Sequence, residues 1–335
     1  MDKTGDIAGR TEGGAGKVFS KLKKLNGIPG MSALLPTIVL IIFLCIATDT
    51  FLTGDNIMNV LRQAAVYAII ATGMTYVTIT AGVDLSVGST LALGCVVCCN
   101  VLNATGNMWI AMLAAIATGA VVGIANGIII AYVGVPPFIM TLGSMYIVRG
   151  ITLFVTNSKQ VSYAEFDSFT FIGQGSLLGI PFPVFVFLVV GALGAFFLTY
   201  TSTGRQIFAV GSNRDAAVLS GVEDKKILVL VYTVSGICVG VASIVYLARL
   251  TAAQPTAGQA YEMEAIAATV VGGTSQAGGE GGVVGSLIGA VLIAVIRNGL
   301  VLLGVGSYFT NIVVGLIIVL AVALDVTRRK LAKNK

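Results

Sequence analysis

Histidine is absent from this sequence, charged residues make up only 10% of it, and tryptophan occurs once. An ordinary soluble domain has about 25% charged residues, whereas this chain has a mean hydropathy of +0.95. The scarcity of charge excludes a soluble globular protein, and the missing histidine excludes the most common proton relays and histidine metal sites. No nucleophile or general base has a credible partner, so we predict no catalytic residue, no metal site and no nucleic-acid partner.

Cysteine is also scarce, and the five cysteines lie inside apolar runs. The stretch CVVCC (residues 95–99) resembles a metal spacing, but no second cluster accompanies it, and thiolates are unfavourable within a lipid-facing helix. We therefore interpret the cysteines as small apolar side chains: Cys45, Cys95, Cys98, Cys99 and Cys238.

Long uninterrupted apolar runs, such as Leu34–Thr48 and Trp109–Val133, fill most of the chain. Membrane β-barrels show alternating segments of about ten residues instead. With about 20 apolar residues needed for each crossing, the sequence predicts an all-α polytopic membrane protein of about ten transmembrane helices. The predicted spans are 31–49, 58–80, 85–103, 108–133, 137–156, 182–200, 226–249, 262–274, 281–303 and 307–326.

Basic residues concentrate in three regions of the chain. Six Lys and Arg lie in residues 1–30, four lie in or beside a polar loop at residues 201–225, and five lie in residues 327–335. Because basic segments of membrane proteins face the cytoplasm, both tails and the loop are predicted to be cytoplasmic. The spans fit this arrangement, with six before the loop and four after it, so residues 31–326 form the transmembrane domain.

A weak internal repeat is visible at an offset of 172 residues. It aligns Asn126-Gly127 with Asn298-Gly299 and Gly143 with Gly315, which lays spans four and five over spans nine and ten. The loop parity would make the two copies inverted, as in many transporters. Chance also supplies such matches in a chain with 42 glycines.

Two polar, glycine-containing stretches interrupt the apolar runs, namely Thr80–Ser89 and Val271–Ser286. Irregular backbone at membrane depth needs protein or a water-filled cavity around it. Each stretch is therefore either a broken-helix element near a substrate route or an ordinary interfacial turn.

Three polar residues within spans, Asn126, Thr141 and Asn298, are the candidates for a translocation path. The two asparagines either line a sugar-sized polar path or bridge helices that pack through small residues. The sequence alone does not separate these two roles.

Charged residues within spans are expected to be structural. Arg149 and Arg297 are interpreted as snorkelling side chains or hydrogen-bond donors rather than site residues. Glu262 and Glu264 fall at the predicted outer start of the eighth span. Since the helix dipole favours acidic residues in a first turn, capping is the preferred interpretation and a gate contact is the alternative.

A short polar segment, FAVGSNRDAAVLSGV (residues 208–222), stands out between the apolar runs. Ser212 and Asp215 have the spacing of a capping box and Gly221 supplies a C-cap, which predicts a helix of about two turns over residues 213–220. A helix this short does not persist alone in water. We therefore expect it to rest against the bundle or against another protein.

The stretches GRQIFAVGSNRDAAVLSGV (residues 204–222) and VYTVSGICVGVASIVYLARLTAAQPTAGQAYEMEAIAATVVGGTS (residues 231–275) resemble the membrane permease of bacterial ribose-type ABC importers. This permease belongs to a wider family for ribose, galactose, xylose and related ligands. GMTYVTITAGVDLSVGS (residues 73–89) and the C-terminal residues 298–325 are also similar to that family. The resemblance covers about residues 36–326.

The resemblance implies a permease subunit of the bacterial inner membrane that moves a monosaccharide inward by alternating access. Ribose is the first expectation, with another pentose, a hexose or a furanosyl-like signalling molecule as alternatives. The implied partners are a cytoplasmic ATPase with two nucleotide-binding halves, an extracytoplasmic sugar-binding protein, a second permease copy in a homodimer, and membrane lipid. ATP and Mg would bind to the ATPase, and this chain would hold no cofactor.

The resemblance further implies that the short polar helix is a coupling helix seated in a cleft of the ATPase. The family usually has a glycine pair where this chain has Gly211-Ser212, and relatives often have Asp at the position of Glu264. The residues implied to couple are Gly211, Ser212, Asn213, Arg214, Asp215, Ala216, Ala217, Ser220 and Gly221.

Two other function classes compete with this interpretation. An ion-coupled secondary transporter of a small polar solute needs sites for coupling ions, for which Asp84 and Glu280 are the best-placed acidic residues. A membrane enzyme needs a buried catalytic constellation, which the sequence lacks. The tail stretch TEGGAGKVFS (residues 11–20) is not a phosphate loop, since Thr11 replaces the first glycine of that motif and Val18 follows the lysine.

Overall fold

A computed structural model describes residues 31–164 and 166–306, together with residues 309, 312, 313, 315, 316, 319 and 323. The predicted tails at 1–30 and 327–335 lie outside the described residues. Most of the predicted tenth span also lies outside them, and with it part of the second copy of the suggested repeat.

The described part of the chain is almost entirely α-helical. Its helices are α1 (Met31–Ala47), α2 (Gly54–Ile79), α3 (Val87–Thr105), α4 (Met108–Ile128), α5 (Pro137–Thr156), α6 (Asp167–Gln174), α7 (Phe182–Tyr200), α8 (Ser202–Ser212), α9 (Arg214–Leu219), α10 (Asp224–Leu250), α11 (Tyr261–Val271) and α12 (Val283–Leu302). A π-helical turn, Ile129–Val133, extends α4.

Short antiparallel strands form two pairs. Strand β1 (Val161–Ser162) pairs with β4 (Ala252–Ala253), so that Val161 lies opposite Ala253. Strand β2 (Ser176–Leu177) pairs with β3 (Ile180–Pro181) in a tight hairpin that leads directly into α7.

Within the described residues, seven helices are long and apolar enough to cross a membrane: α2, α3, α4 with its π-turn, α5, α7, α10 and α12. Helix α1 is apolar but shorter. The predicted spans 137–156 and 182–200 coincide with α5 and α7. The molecule is therefore a multi-pass helical membrane protein, although neither the count of ten nor the inverted repeat is established.

The predicted eighth span, 262–274, is wrong as a continuous crossing helix. Helix α11 has only 11 residues, which corresponds to about 16 Å at a rise of about 1.5 Å per residue. The hydrocarbon core of a bilayer is about 30 Å thick. The apolar run YEMEAIAATVV is therefore a half-helix, and another segment must complete that crossing.

Helix α10 forms the centre of the bundle and packs along α4. A Cβ atom at Gly119 would overlap the carbonyl oxygen of Gly236, and one at Gly123 would overlap that of Tyr232. One turn further on, a Cβ atom at Gly127 would lie 2.7 Å from the Cα of Val229. Glycine at every fourth position of α4 lets the two backbones approach closely, as small residues do in membrane helix pairs.

The two ends of the bundle carry different elements. At one end, which we call the α9 end, Lys225 Nζ lies 5.3 Å from the ring centroid of Tyr132 in the π-turn after α4. At the other end, which we call the hairpin end, Gln174 of α6 donates a hydrogen bond to the carbonyl oxygen of Arg249 at 3.0 Å. Helix α12 ends at the hairpin end, and the last turn of α1 packs against Gly299 near that end of α12. Helix α1 therefore begins at the α9 end.

Candidate functional site

Helix α8 lies across the α9 end of the bundle because it is amphipathic. The hydroxyl oxygen of Thr201 accepts a hydrogen bond from the Gly204 amide at 3.0 Å, which separates α8 from α7. Ile207 and Val210 are buried on one face, whereas Arg205 and Gln206 are exposed.

Helix α9 begins at Arg214, and its N-cap is Asn213. The Asn213 Oδ1 atom accepts a hydrogen bond from the Ala216 amide at 3.0 Å, and the Asn213 backbone is extended (φ −159°, ψ 104°). The predicted capping box of Ser212 and Asp215 is wrong, because Ser212 is the last residue of α8 and an N-cap must have a non-helical backbone.

The C-terminal end of α9 is closed by Gly221, as predicted. Gly221 has φ +86°, a left-handed conformation that glycine adopts without steric cost. Its amide donates to the Val218 carbonyl at 2.9 Å, and the Val222 amide donates to the Ala217 carbonyl at 3.0 Å. These two bonds form a Schellman motif, and the Ser220 hydroxyl adds a bond to the Ala216 carbonyl at 2.8 Å.

Two contacts hold α9 against the bundle. Ala217 is buried at 5% exposure. Arg214 Nε donates to Asp224 Oδ2 at 2.7 Å, which links the start of α9 to the start of α10. The rest of the helix faces outward: Asp215 and Ala216 are exposed, and Val218 and Leu219 are 47% and 89% exposed.

The end of α8 meets the end of α2 and the loop before α12 in what we call the glycine junction, formed by Gly211, Ile79, Gly278 and Gly279. A Cβ atom at Gly211 would overlap the Ile79 carbonyl oxygen. That same oxygen accepts a hydrogen bond from the Gly279 amide at 2.9 Å. Gly278 and Gly279 have φ of +85° and +76°, so this close approach depends on glycine. The end of α8, the end of α2 and the loop before α12 are therefore in direct backbone contact.

Two of the predicted path residues converge on the break between α2 and α3. Asn126 Nδ2 donates to Ser86 Oγ at 3.0 Å. The Thr141 hydroxyl donates to the Pro137 carbonyl at 2.8 Å and also lies 3.3 Å from the Val83 carbonyl oxygen. Both side chains are fully buried. In this conformation they fix the irregular segment 83–86.

Asn298, the third predicted path residue, lies elsewhere. Its amide exchanges two hydrogen bonds with the amide of Asn56 near the hairpin end, at 3.0 and 2.7 Å. This pair joins α12 to the first turn of α2. Sequence analysis did not identify Asn56, because its partner is 242 positions away.

The Asp84 carboxylate is occupied by hydrogen bonds within the protein, as expected for a structural residue rather than for an ion ligand. Its carboxylate accepts hydrogen bonds from the amide and hydroxyl of Ser86 at 3.0 and 2.6 Å and from the Ser235 hydroxyl at 2.9 Å. The side chain is 2% exposed. Glu280, the other acidic residue considered for ion coupling, is exposed in the loop before α12.

Glu264 and Arg297 form an ion pair inside the bundle. The Glu264 side chain is 1% exposed and the Arg297 side chain 24%. Arg297 is therefore a structural partner, as expected. Glu264 lies in the first turn of its helix, as predicted, but it is also paired with Arg297 and is not only a capping charge. The pair ties α11 to α12.

The cysteine-rich stretch of α3 faces the protein core. Cys95, Cys98 and Cys99 are buried, and Cys95 Sγ donates to the Ser243 carbonyl at 3.3 Å. Across the part of the chain that the structure describes, no group of three or more Cys, Asp and Glu side chains is placed to hold a metal ion.

Crossing helices that are interrupted inside the bundle are typical of membrane transport proteins. The family described as the permease component of the branched-chain amino acid transport system matches residues 56–322. This chain belongs to that family, and it is a transport subunit rather than an enzyme.

Curated relatives are similar over most of their length. The chain is 43% identical to the ribose import permease protein RbsC of Escherichia coli strain K12, over 88% of this chain and 92% of the relative. It is 38% identical to the D-allose transport system permease protein AlsC of the same strain, over 86% and 88%. It is 34% identical to the xylose transport system permease protein XylH of Haemophilus influenzae, over 92% and 99%. No solved structure matches the chain.

Proposed function

We propose that this chain is the membrane-spanning permease subunit of an ATP-driven ABC importer that carries ribose inward by alternating access. The 43% identity to a ribose import permease over 88% of the chain supports this substrate. The identities to the allose and xylose permeases are lower, at 38% and 34%. Ribose therefore ranks ahead of these sugars.

The proposed role of α9 is to couple the bundle to a cytoplasmic ATPase with two nucleotide-binding halves, which binds the ATP and Mg. The observation that carries this proposal is the fully capped α9, which directs Val218 and Leu219 away from the bundle. An exposed apolar pair at the end of this capped helix is suited to fill a cleft in a partner, since buried apolar anchors supply most of the binding energy of an interface.

The α9 end is proposed to be cytoplasmic, in the inner membrane of a bacterium. Arg205, Arg214, Lys225 and Lys226 lie at this end, and basic residues favour the cytoplasmic side. Because α1 begins at the same end, we propose that the N-terminus and the C-terminus also lie on the cytoplasmic side. The hairpin end then faces an extracytoplasmic sugar-binding protein, and a second copy of the chain completes the path.

An ion-coupled transporter is the less favoured candidate. Three hydrogen bonds already occupy the Asp84 carboxylate, and the relatives named above are import or transport-system permeases.

The test uses proteoliposomes that contain the complex purified from its native membrane, with ATP enclosed and the binding protein outside. We expect uptake of radiolabelled ribose to require ATP and to survive ionophores that dissipate proton and sodium gradients. A tenfold excess of unlabelled ribose should compete better than the same excess of allose or xylose. Uptake driven by an ion gradient without ATP would overturn the importer proposal, and stronger competition by allose or xylose would overturn ribose as the substrate.

A further inference from the structure

Residues Gln254–Ala260, which we call the re-entrant segment, leave the hairpin end and descend into the bundle. The segment directly follows β4, which pairs with β1 at the hairpin end. A Cβ atom at Gly88, in the first turn of α3, would overlap the carbonyl oxygen of Gly258. Helix α3 reaches the hairpin end at Asn103, whose Nδ2 donates to the Ser162 carbonyl. Gly88 therefore lies about 22 Å from Asn103 along the axis of α3, at about 1.5 Å per residue.

Arg149 fixes the same segment from the side. One guanidinium nitrogen, Nη1, donates to the carbonyl oxygens of Pro255 and Ala257 at 2.6 and 2.8 Å. Helix α5 starts at Pro137 near the α9 end, so Arg149 lies about 18 Å above that end. Measured from either end, residues 255–258 are near the middle of a hydrocarbon core about 30 Å thick.

Helix α11 completes the crossing to the α9 end. Gly272 follows its last turn and packs against the backbone of Gly285 in the first turn of α12. The second half of this crossing is therefore a helix, and the first half consists of turns over residues 255–260. Glu262, in the first turn of α11, consequently lies at mid-depth, where its carboxylate approaches Gly88.

The re-entrant segment presents polar side chains away from the protein at this depth. Thr256 and Gln259 are exposed, whereas the intervening Ala257 and Gly258 are buried. Irregular backbone and polar side chains are not stable against lipid tails, since no water is available there to satisfy them. At this depth, exposed polar side chains are stable beside a hydrated passage or against another protein, but not against lipid.

The backbone of the segment is held in an uncommon conformation. Gly258 has φ +68° and Ala260, the N-cap of α11, has φ +69°. A left-handed alanine persists only where the surrounding structure imposes it, and such residues cluster at functional sites. Here the conformation keeps the Thr256 and Gln259 side chains outside the packed core.

We propose that the re-entrant segment lines the translocation path at mid-membrane, and that Thr256 and Gln259 form hydrogen bonds with an uncharged polyhydroxylated solute as it passes. A hydroxyl and a primary amide together both donate and accept, which suits the hydroxyl groups of a monosaccharide. Arg149 positions the segment through the two carbonyl oxygens. The choice of solute class rests on the proposed function, whereas the placement in a hydrated passage does not.

Cysteine labelling tests the placement independently of any substrate. Thr256→Cys and Gln259→Cys variants of the full complex are treated in vesicles with a charged, membrane-impermeant maleimide, and the wild type provides the baseline of the native cysteines. The matched control is Val189→Cys, which is 58% exposed near the middle of α7, the most apolar crossing helix. We expect both variants to react at least tenfold faster than Val189→Cys. Rates equal to that of the control would overturn the proposal, even in a complex that transports ribose.

A pair of glutamine substitutions tests the contact with solute. Gln259→Leu should lower maximal ribose uptake about fivefold, the factor expected for one lost hydrogen bond. Gln160→Leu removes an exposed amide in the loop before β1, outside the re-entrant segment, and should change uptake less than twofold. Equal uptake by the two variants, with normal ATP-dependent transport in both, would contradict the solute contact while leaving the proposed function intact.

Discussion

Glycine has different roles in the α4–α10 interface and in the glycine junction. In α4, Gly119, Gly123 and Gly127 keep ordinary helical backbone angles and simply omit a side chain, so that two long helices lock together. In the junction, Gly278 and Gly279 adopt positive φ and wrap a loop around the ends of α2 and α8.

This difference separates a frame from a moving part. The α4–α10 contact is regular and extends along several turns, as expected for a rigid framework. The junction joins three chain ends through a few close contacts and one shared carbonyl oxygen. We expect such a joint to transmit displacement of α8 while the α4–α10 interface stays fixed, and the variants below test that expectation.

The largest loss of stability is expected from adding a side chain to the α4–α10 interface. Gly119→Leu places a branched side chain where even a Cβ atom would overlap the Gly236 carbonyl. Overpacking typically costs about 1–3 kcal/mol where neighbours can adjust, but here the obstacle is the backbone of α10, so we expect the cost to exceed that of every other variant below. We expect no monodisperse peak on size-exclusion chromatography in detergent. Gly143→Leu, where nothing lies within 4 Å of the added Cβ, is the control and should elute normally.

A somewhat smaller effect is expected where α11 joins α12. Arg297→Met leaves the Glu264 carboxylate buried without its partner, and breaking a buried pair from one side costs about 3–5 kcal/mol. The thermal midpoint in detergent should fall clearly. Adding Glu264→Gln to this variant should restore most of the loss, because a neutral amide needs no counter-charge. A double variant no more stable than Arg297→Met would show that the ion pair is not the cause.

A substitution in the glycine junction should weaken the coupling between ATP hydrolysis and ribose import without unfolding the protein. Gly279→Ala and Gly304→Ala both place alanine at positive φ, which costs about 1–2 kcal/mol. Only the Gly279 variant also clashes, because its Cβ would lie 2.9 Å from the Ser212 Cα, while nothing lies within 4 Å at Gly304. We expect Gly279→Ala to retain its ATPase but to import several-fold less ribose per ATP hydrolysed. Equal ratios in both variants would remove the junction from the coupling route.

The smallest effect is expected at the start of α9. Asn213→Ala removes the cap on the Ala216 amide and should destabilise the helix by about 1 kcal/mol. Hydrogen exchange at Ala216 should become faster by roughly the fivefold that this energy implies. Ser212→Ala should leave that exchange rate unchanged. Faster exchange in Ser212→Ala instead would restore the capping box predicted from the sequence.

Sequence reasoning located the crossing helices where an apolar run has clear borders. Helices α5 and α7 match their predicted ranges because Pro137 and Phe182-Pro183 mark their starts and polar residues follow their ends. It also singled out α9, because Gly221 and the polar composition are local signals.

The depth of a segment in the membrane and the contacts between residues far apart in the sequence could not be predicted from local sequence patterns. Nothing local in the apolar run of α11 reveals that the chain has already descended to mid-membrane before Tyr261. The cap was misassigned because Ser212 and Asn213 are both good capping residues, and the length of α8 decides between them. Asn126 and Thr141 were found as polar residues, but their shared contact with segment 83–86 emerges only from the packing of α4 and α5 against the α2–α3 break.

The most direct test of the account is co-purification of an ATPase with the tagged chain from its native membrane in mild detergent. Leu219→Asp on α9 is compared with Leu178→Asp at the tip of the β2–β3 hairpin, since these leucines are 89% and 91% exposed at opposite ends of the bundle. We predict that mass spectrometry finds the ATPase with the wild type and with Leu178→Asp, and that Leu219→Asp loses it while remaining folded. Retention of the ATPase by Leu219→Asp at the wild-type level would contradict the claim that α9 docks it.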